Sequence, residues 1–169
     1  MMIFNLAAVP SYAAGEEYPT VAFIGGSITE GAGLDNEWNA LSNDERAAYN
    51  NDFSAYRAAN CYAGLVGKYM SEKYGTKNVI NAGIGGTGSN LGMARIGEDV
   101  LSKNPDVVFV EFAVNDNYFN SEAVRTMEGI VRQIHNKNAD TKIVFVYTTV
   151  EEAKPTTVSY FKELADSYN

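Results

Sequence analysis

The sequence predicts a doubly wound α/β fold, a three-layer α/β/α sandwich around a parallel, flavodoxin-like sheet. Short apolar runs rich in Val, Ile and Phe alternate with helical segments, and strands that alternate with helices form parallel sheets. The last two runs are apolar throughout, as in strands that helices cover on both faces. The four predicted strands are Thr20 to Gly25, Asn78 to Ala82, Asp106 to Phe112 and Lys142 to Thr148. A fifth strand is expected after the last helix, and none follows in this sequence.

Helical periodicity predicts three longer helices. The first runs from Tyr56 to Tyr74 and holds the single cysteine, Cys61, which is expected to be a small buried hydrophobe because it has no partner for an internal disulfide. The second runs from Ser121, a potential N-cap, to about Asn136. The third runs from Thr157 to Tyr168. Apolar stripes on the last two contain Val124, Met127, Ile130, Val131 and Ile134, and then Val158, Phe161, Leu164 and Ala165.

Length and composition indicate one acidic domain. The chain has 169 residues, 46% of them apolar, which suits one core and not two. With 13 Lys and Arg against 21 Asp and Glu, the net charge of -8 repels nucleic acid phosphates and anionic lipid headgroups. No cluster of His and Cys offers a metal site, and no cofactor is expected. We therefore expect a small-molecule or carbohydrate partner and neither nucleic acid nor a membrane.

The first 14 residues form an apolar segment that is similar to the latter part of a signal peptide. The segment ends in small residues around Ser11-Tyr12-Ala13, a possible cleavage site, and an acidic stretch follows it. The basic region that begins a signal peptide is missing, so an ordinary apolar N-terminal arm is the alternative. The sequence thus favours a secreted or periplasmic protein whose domain spans residues 15–169.

Three predicted strand ends carry residues suited to acyl transfer. The first strand runs into the glycine-rich turn Gly25-Gly26-Ser27, which makes Ser27 the candidate nucleophile. Gly86 follows the second strand and Asn115 follows the third. Because the active crevice of an open parallel sheet lies at the carboxyl ends of its strands, we expect these residues to meet. The backbone N–H groups of Ser27 and Gly86 and the Asn115 amide could then stabilise one oxyanion.

A serine nucleophile also needs a proton acceptor, and the sequence does not supply an obvious one. The only histidine, His135, lies beside the apolar stripe of a predicted helix that faces away from the strand ends. We predict a surface or packing role for His135, which leaves Ser27 without a base.

A polar insert between the first two strands is the candidate substrate-recognition segment. It runs from Asp35 to Asp52, contains Trp38 and precedes Tyr56. Both rings could stack on neutral sugars, although tyrosines are as often packing residues. The predicted substrate-binding residues are Trp38 and Tyr56, together with Gly26 and Asp116 at the crevice.

In this order, the three motifs resemble those of the SGNH hydrolases, also called GDSL-like esterases and lipases. The family's Gly-Asp-Ser, Asn-x-Gly-x-x-Gly and Gly-x-Asn-Asp blocks are similar to Gly25-Gly26-Ser27, to Asn81, Gly83 and Gly86, and to Ala113-Val114-Asn115-Asp116. The resemblance implies that Ser27 is the nucleophile and that Ser27, Gly86 and Asn115 are the oxyanion donors, without a metal. Gly26 and Ala113 replace the Asp and Gly of the blocks, and neither change removes a catalytic group.

The family's fourth block, Asp-x-x-His, is missing from this sequence. The resemblance covers about Pro19 to Thr149 and implies a C-terminally truncated esterase, nearly inactive as given because it lacks the catalytic His. Without the fifth strand, the fourth becomes an uncovered apolar edge, which predicts self-association. A secreted, acidic member with a polar aromatic insert and no broad apolar lid is more similar to carbohydrate O-acetyl esterases than to long-chain lipases.

Two other functions remain open from the sequence. The run from Gly83 to Gly88 fits the dinucleotide fingerprint Gly-x-Gly-x-x-Gly, with the acidic Glu111 farther on. This motif follows the second strand instead of the first and leaves Ser27 and Asn115 unexplained. A non-catalytic carbohydrate-binding module would keep the crevice and use Trp38 and Tyr56 to hold a glycan, and it would explain the missing base.

Overall fold

The computed structural model describes residues 17–116, 120–148 and 154–168, with 120 and 121 described by their backbone only. The signal-peptide-like segment at residues 1–14 lies outside these ranges. The described residues contain one parallel sheet in the order β2-β1-β3-β4, as predicted. Its strands are β1 (Thr20–Gly25), β2 (Asn78–Gly83), β3 (Val107–Glu111) and β4 (Lys142–Phe145).

The strand order places a switch point beside β1. The chain passes from β1 to β2 on one side and then crosses to β3 on the other, and β1 pairs with both. Gly25, the last residue of β1, is level with Gly83 of β2 and Glu111 of β3. The loops that follow three neighbouring strands therefore start at the same edge of the sheet, where ligands bind in such folds.

Helices cover both faces of the sheet. They are α1 (Ser27–Glu30), α2 (Asp35–Ala40), α3 (Asn43–Ala47), α4 (Phe53–Asn60), α5 (Tyr62–Tyr74), α6 (Ser89–Asp99), α7 (Asn120–Lys137) and α8 (Pro155–Ser167). Successive strand residues face opposite sides. Ala22 and Ile24 of β1 therefore pack with α6, α7 and α8, whereas Val21 and Phe23 pack with α5. The predicted three-layer α/β/α sandwich is confirmed.

The predicted helix from Tyr56 to Tyr74 is wrong in one respect, because two helices occupy this region. The chain is extended at Cys61, with φ -67° and ψ 161°, and Cys61 caps α5 by accepting a hydrogen bond from Gly64 N–H on Sγ at 3.4 Å. A residue with extended backbone ends α4 and starts α5 in a new direction. The thiol is buried, as the sequence predicted.

The other helices agree with the sequence within a few residues. In α7, Met127, Ile130, Val131 and Ile134 are buried, while Val124 is half-buried and Ala123 takes its place in the core. The N-cap position predicted for Ser121 is wrong, because α7 already begins at Asn120 and Ser121 lies within the helix. The polar insert folds into α2 and α3, and the start of α3 is fixed by a capping box between Ser42 and Glu45. No helix in the described ranges is long and apolar enough to cross a membrane.

Candidate active site

The nucleophile candidate lies directly at the end of the central strand β1. Only Gly26 separates β1 from α1, whose first residue is Ser27. The Gly26 N–H donates to the Glu111 carbonyl at 3.2 Å, which extends the β1 and β3 pairing to the residue before Ser27. Ser27 is half-buried at this edge of the sheet. Its position is therefore set by the sheet and by the tight turn into α1.

The loop after β2 lies against this turn. A Cβ placed on Gly85 would lie 3.8 Å from the Ser27 Cβ, and Gly86 has a φ of +73°, a conformation that favours glycine. Asn81 joins the two segments, because its Nδ2 donates to the Thr29 carbonyl at 2.8 Å. Within the described residues, no hydrogen bond occupies the N–H of Gly86 or of Ser27. Both groups are available to an oxyanion.

Asn115 completes the group from the end of β3. Its Nδ2 donates to the Thr87 carbonyl at 2.8 Å, which joins the loops after β2 and β3. A Cβ placed on Gly26 would lie only 2.5 Å from that Nδ2. Gly26 therefore leaves the space in which the Asn115 amide approaches the nucleophile turn. The structure thus brings the loops of Ser27, Gly86 and Asn115 together, while their catalytic roles stay predictions.

A buried carboxylate supports the nucleophile turn from below. Glu111 is only 1% exposed, and its Oε2 accepts hydrogen bonds from Thr29 Oγ1 at 3.0 Å and Gly26 N–H at 3.3 Å. Its Oε1 accepts one from Thr148 Oγ1 at 2.7 Å. The hydroxyl groups of Tyr62 and Thr29 lie 3.0 Å apart, and burial raises the pKa of Tyr62, which keeps the phenol protonated.

From the sequence, Glu111 is a candidate only for the acidic residue of a dinucleotide fingerprint. That role does not fit a carboxylate whose two oxygens are occupied inside the fold. The available signal was its place at the end of a strand that is otherwise apolar, because buried carboxylates are rare unless they are paired or hydrogen-bonded.

A half-buried arginine holds the same turn from the other side. Arg95 of α6 donates from Nη2 to the Gly25 carbonyl at 3.2 Å and from Nη1 to the Ala82 carbonyl at 2.7 Å. Nη1 also pairs with Asp99 at 2.8 Å. The carbonyl of the Gly25-Gly26 peptide thus accepts from Arg95, and its N–H donates to Glu111. Sequence reasoning missed Arg95, since nothing in a helical pattern indicates which arginine turns inward.

Asp116 anchors α6 in this structure. Its Oδ1 accepts a hydrogen bond from Ser89 N–H at 2.9 Å, and its Oδ2 is buried with no partner among the described residues. Burial raises the pKa of Asp116, although the hydrogen bonds from Ser89 and the nearby charge of Lys154 oppose this shift. Burial also lowers the pKa of Lys154, whose Nζ donates to the carbonyls of Ala113 and Val114.

A cavity of about 360 Å³ lies beside these residues. Its walls include the oxyanion candidates Gly86 and Asn115, and most of the other residues around it have polar side chains: Ser89, Asn90, Asp116, Glu122 and Thr126. Asp116 is only 4% exposed, so the substrate contact predicted for it stays a prediction. The cavity offers room for a small group next to the oxyanion candidates.

The aromatic residues of the insert pack against one another. The ring of Trp38 lies 5.3 Å from that of Tyr56 and 5.9 Å from that of Phe53, and the Arg46 guanidinium covers it at 5.3 Å. Tyr56 also packs edge-on against Tyr49 and is buried. These contacts match the packing alternative for Tyr56, and the sugar-binding roles of Trp38 and Tyr56 stay predictions.

His135 lies far from Ser27, as expected from its place on a predicted helix that faces away from the strand ends. It is near the C-terminal end of α7, roughly 20 Å along the helix axis from the end that follows Asp116. Its ring packs against Tyr168 with centroids 5.7 Å apart. His135 also borders a cavity of about 480 Å³ beside β4, the edge strand of the described sheet. The described residues also hold no group of His, Cys, Asp and Glu suited to a metal ion.

Comparison with known structures gives the same fold. The chain is 27% identical to a two-domain esterase (CEX) active on acetylated mannans, with a TM-score of 0.56, over 86% of this chain and 41% of that one. The fold is also similar to AlinE4, an SGNH-hydrolase family esterase, at 19% identity and a TM-score of 0.61, over 92% of this chain and 75% of that one.

TesA is a third neighbour, at 18% identity and a TM-score of 0.60, over 88% of this chain and 72% of TesA. No curated protein sequence matches the chain. Residues 23–169 match the model of the GDSL-like lipase/acylhydrolase family, and this range contains all three motifs. The chain belongs to the GDSL-like lipase/acylhydrolase family, whose members share this α/β fold.

Proposed function

We propose that this chain is the nucleophile-bearing part of a serine esterase that hydrolyses acetyl esters on carbohydrates. The observation that carries the proposal is the meeting of three loops at one edge of the sheet. Asn115 Nδ2 donates to the Thr87 carbonyl at 2.8 Å, and Gly85 lies against Ser27. These contacts support the proposal that the Ser27 hydroxyl and three N–H donors act on one substrate carbonyl.

In this mechanism, Ser27 Oγ attacks the ester carbonyl and loses its proton to a base. The carbonyl oxygen becomes an oxyanion, which accepts hydrogen bonds from Ser27 N–H, Gly86 N–H and Asn115 Nδ2. Each such donor is worth about 3 kcal/mol in the transition state. The alcohol leaves, and water then releases the acid from the acyl-serine by the same route.

The base is the part of the mechanism that these residues do not supply. The chain's only histidine, His135, packs against Tyr168 at the far end of α7. We propose that the histidine and its aspartate come from residues outside this sequence. By itself the chain should then be slower than the complete enzyme by several orders of magnitude, as other serine hydrolases are when they lose one triad member.

The substrate class rests on two supports. A relative with 27% identity is an esterase active on acetylated mannans. In this chain, most of the residues around the cavity beside Gly86 and Asn115 have polar side chains, which can form hydrogen bonds with sugar hydroxyl groups and not with a long alkyl chain. Hydrolysis of long-chain esters in preference to acetylated sugars would contradict this choice.

A non-catalytic carbohydrate-binding module is the second candidate. It is favoured by one observation, the distance between His135 and the strand ends, because a binding protein needs no base. Such a module would bind acetylated oligosaccharides without releasing acetate.

Hydrolysis of p-nitrophenyl acetate distinguishes these possibilities. The purified chain and a longer version that includes whatever the gene encodes after Asn169 are assayed side by side, each with its own Ser27→Ala variant. Activity confined to the longer version and abolished there by Ser27→Ala would support the esterase. Serine-dependent activity in the 169-residue chain would mean that a group within it serves as the base. Inactivity of all four proteins, with retained binding of an acetylated oligosaccharide, would favour the binding module.

A further inference from the structure

Glu30 contacts both the oxyanion loop and the insert side of the site. It is the last residue of α1, the short helix that begins with Ser27. Its Oε2 accepts a hydrogen bond from Gly85 N–H at 2.8 Å, and its Oε1 accepts one from Arg57 Nη1 at 3.3 Å. One carboxylate thus joins the nucleophile helix, the loop after β2 and α4.

The contact with Gly85 bears directly on the neighbouring oxyanion donor. The N–H of Gly85 points to Glu30, and the next N–H along the chain is that of Gly86. A Cβ placed on Gly86 would meet no atom within 4 Å, so side-chain packing does not hold this residue. Its orientation depends on the hydrogen bonds of its neighbours, and a bond to a carboxylate is about twice as strong as a neutral one.

The neighbouring bonds do not replace the one to Glu30. Thr87 Oγ1 donates to the Ile84 carbonyl at 2.8 Å, and Asn115 Nδ2 donates to the Thr87 carbonyl. These bonds hold the far side of the loop. On the side that faces Ser27, the described residues provide two acceptors for the loop's N–H groups. The Gly25 carbonyl accepts from Ile84 N–H at 3.1 Å, and the Glu30 carboxylate accepts from Gly85 N–H, directly before Gly86.

Arg57 extends this connection to the aromatic insert. Its guanidinium lies 5.9 Å from the ring centre of Phe53, which packs against Trp38 at 5.9 Å. The side chains of Arg57 and Glu30 are 34% and 33% exposed, so dissolved salt can screen their ion pair. The carboxylate that holds the oxyanion loop is therefore itself held from α4.

We propose that Glu30 is a positioning residue that orients the Gly86 N–H through Gly85, and that Arg57 holds Glu30 in place. The proposal rests on the proposed esterase function of this site and adds to it a residue that does not touch the reacting atoms. It also connects the polar insert with the oxyanion loop, because Trp38 of the insert packs on Phe53 of α4, and α4 reaches the loop through the Arg57 and Glu30 pair.

The first test uses the 169-residue chain and does not depend on activity. Chains labelled with ¹⁵N-glycine report the exchange of the Gly85 and Gly86 amide protons with water. Glu30→Ala should speed exchange of the Gly85 amide about tenfold, the loss of one charge-assisted hydrogen bond, while core amides of β1 and β3 stay unchanged. It should also shift the NMR signal of the Gly86 amide, whose N–H makes no hydrogen bond within the described residues. Glu30→Gln keeps an acceptor for Gly85 and should leave that amide protected. Glu37→Ala, an exposed acid on α2, is the matched control.

The second test measures p-nitrophenyl acetate hydrolysis by the longer version described above. Glu30→Ala should lower kcat about tenfold with little change in KM, whereas Arg57→Met should give a smaller loss that the wild type reproduces in high salt. A merely structural role would lower the melting temperature without moving kcat or the Gly86 amide signal. An unmoved Gly86 amide signal in Glu30→Ala would overturn the proposal.

The two proposals fail in different ways. If Ser27→Ala hydrolyses the ester as fast as the wild type, or if nothing hydrolyses it, the esterase proposal fails. The amide data would still decide whether Glu30 orients the loop.

Discussion

Truncating Glu111 gives the most direct measure of how the nucleophile turn is held. The change Glu111→Ala removes a carboxylate that is 1% exposed and accepts hydrogen bonds from Gly26, Thr29 and Thr148. In the variant, the Thr29 hydroxyl can still donate to the Tyr62 hydroxyl, 3.0 Å away. The Gly26 N–H also retains its hydrogen bond to the backbone carbonyl of residue 111 at 3.2 Å. The hydroxyl of Thr148 has no such substitute among the described residues.

These contacts set the size of the expected effect. Hydrogen bonds from the two hydroxyls to a charged acceptor contribute roughly 1.5–3 kcal/mol each. Part of this sum is offset, because the variant no longer keeps a carboxylate out of water. We expect Glu111→Ala to lower the free energy of unfolding by about 3 kcal/mol, and the near-isosteric Glu111→Gln by about 1 kcal/mol. For a chain of this length, the larger loss corresponds to a fall of about 6–12 °C in Tm.

Urea unfolding followed by circular dichroism and by Trp38 fluorescence measures these values, and coincident curves justify a two-state analysis. Glu98→Ala is the matched control, because Glu98 is exposed on α6. It should change the free energy of unfolding by no more than about 0.5 kcal/mol. If Glu111→Ala unfolds at the same urea concentration as Glu98→Ala, the buried network does not hold the turn.

Three further predictions concern the strand ends around Ser27 and the edge strand β4. Gly26→Ala, and equally Gly26→Asp, should displace the Asn115 amide from the Thr87 carbonyl, because the new Cβ would lie 2.5 Å from Nδ2. An unmoved Asn115 side-chain amide signal in NMR spectra would contradict this. Either variant should lower hydrolysis by the longer version about 10²-fold, the effect of losing one oxyanion donor. Because burial raises the pKa of Asp116, its contribution to stability is complete below its unfolded pKa and is lost as the pH rises through the folded pKa. Urea unfolding should therefore give Asp116→Asn a higher free energy of unfolding, relative to wild type, at pH 7 than at pH 4. An equal difference at both pH values would refute this prediction. Among the described residues β4 pairs only with β3, and an edge strand of this kind should make the chain self-associate. Light scattering should then give a mass that rises with concentration, and a constant monomer mass would refute that expectation.

Much of the architecture could be read from local patterns. Runs of Val, Ile and Phe marked the four strands within a few residues, most clearly β1 and β3, because a strand covered on both faces must be apolar along its length. The apolar run of β4 predicted the same cover, but β4 is only partly buried because it lies at the edge of the described sheet. The serine, glycine and asparagine motifs were found because each directly follows a strand, and parallel strands end at one edge. The main error in the helices was the break at Cys61, since both sides of it have helical periodicity and the turn of the chain depends on packing.

The sequence by itself determined the class of fold, the family and the strand ends at which Ser27, Gly86 and Asn115 lie, because these follow from short patterns in neighbouring residues. Only the tertiary structure decided which polar side chains hold that edge in place. Glu30 reaches Gly85 across 55 residues, Arg95 reaches Gly25 across 70 and Glu111 reaches Thr29 across 82. Partners so distant in the chain leave no periodicity, and a buried charge is identified only when the groups that satisfy it are seen around it.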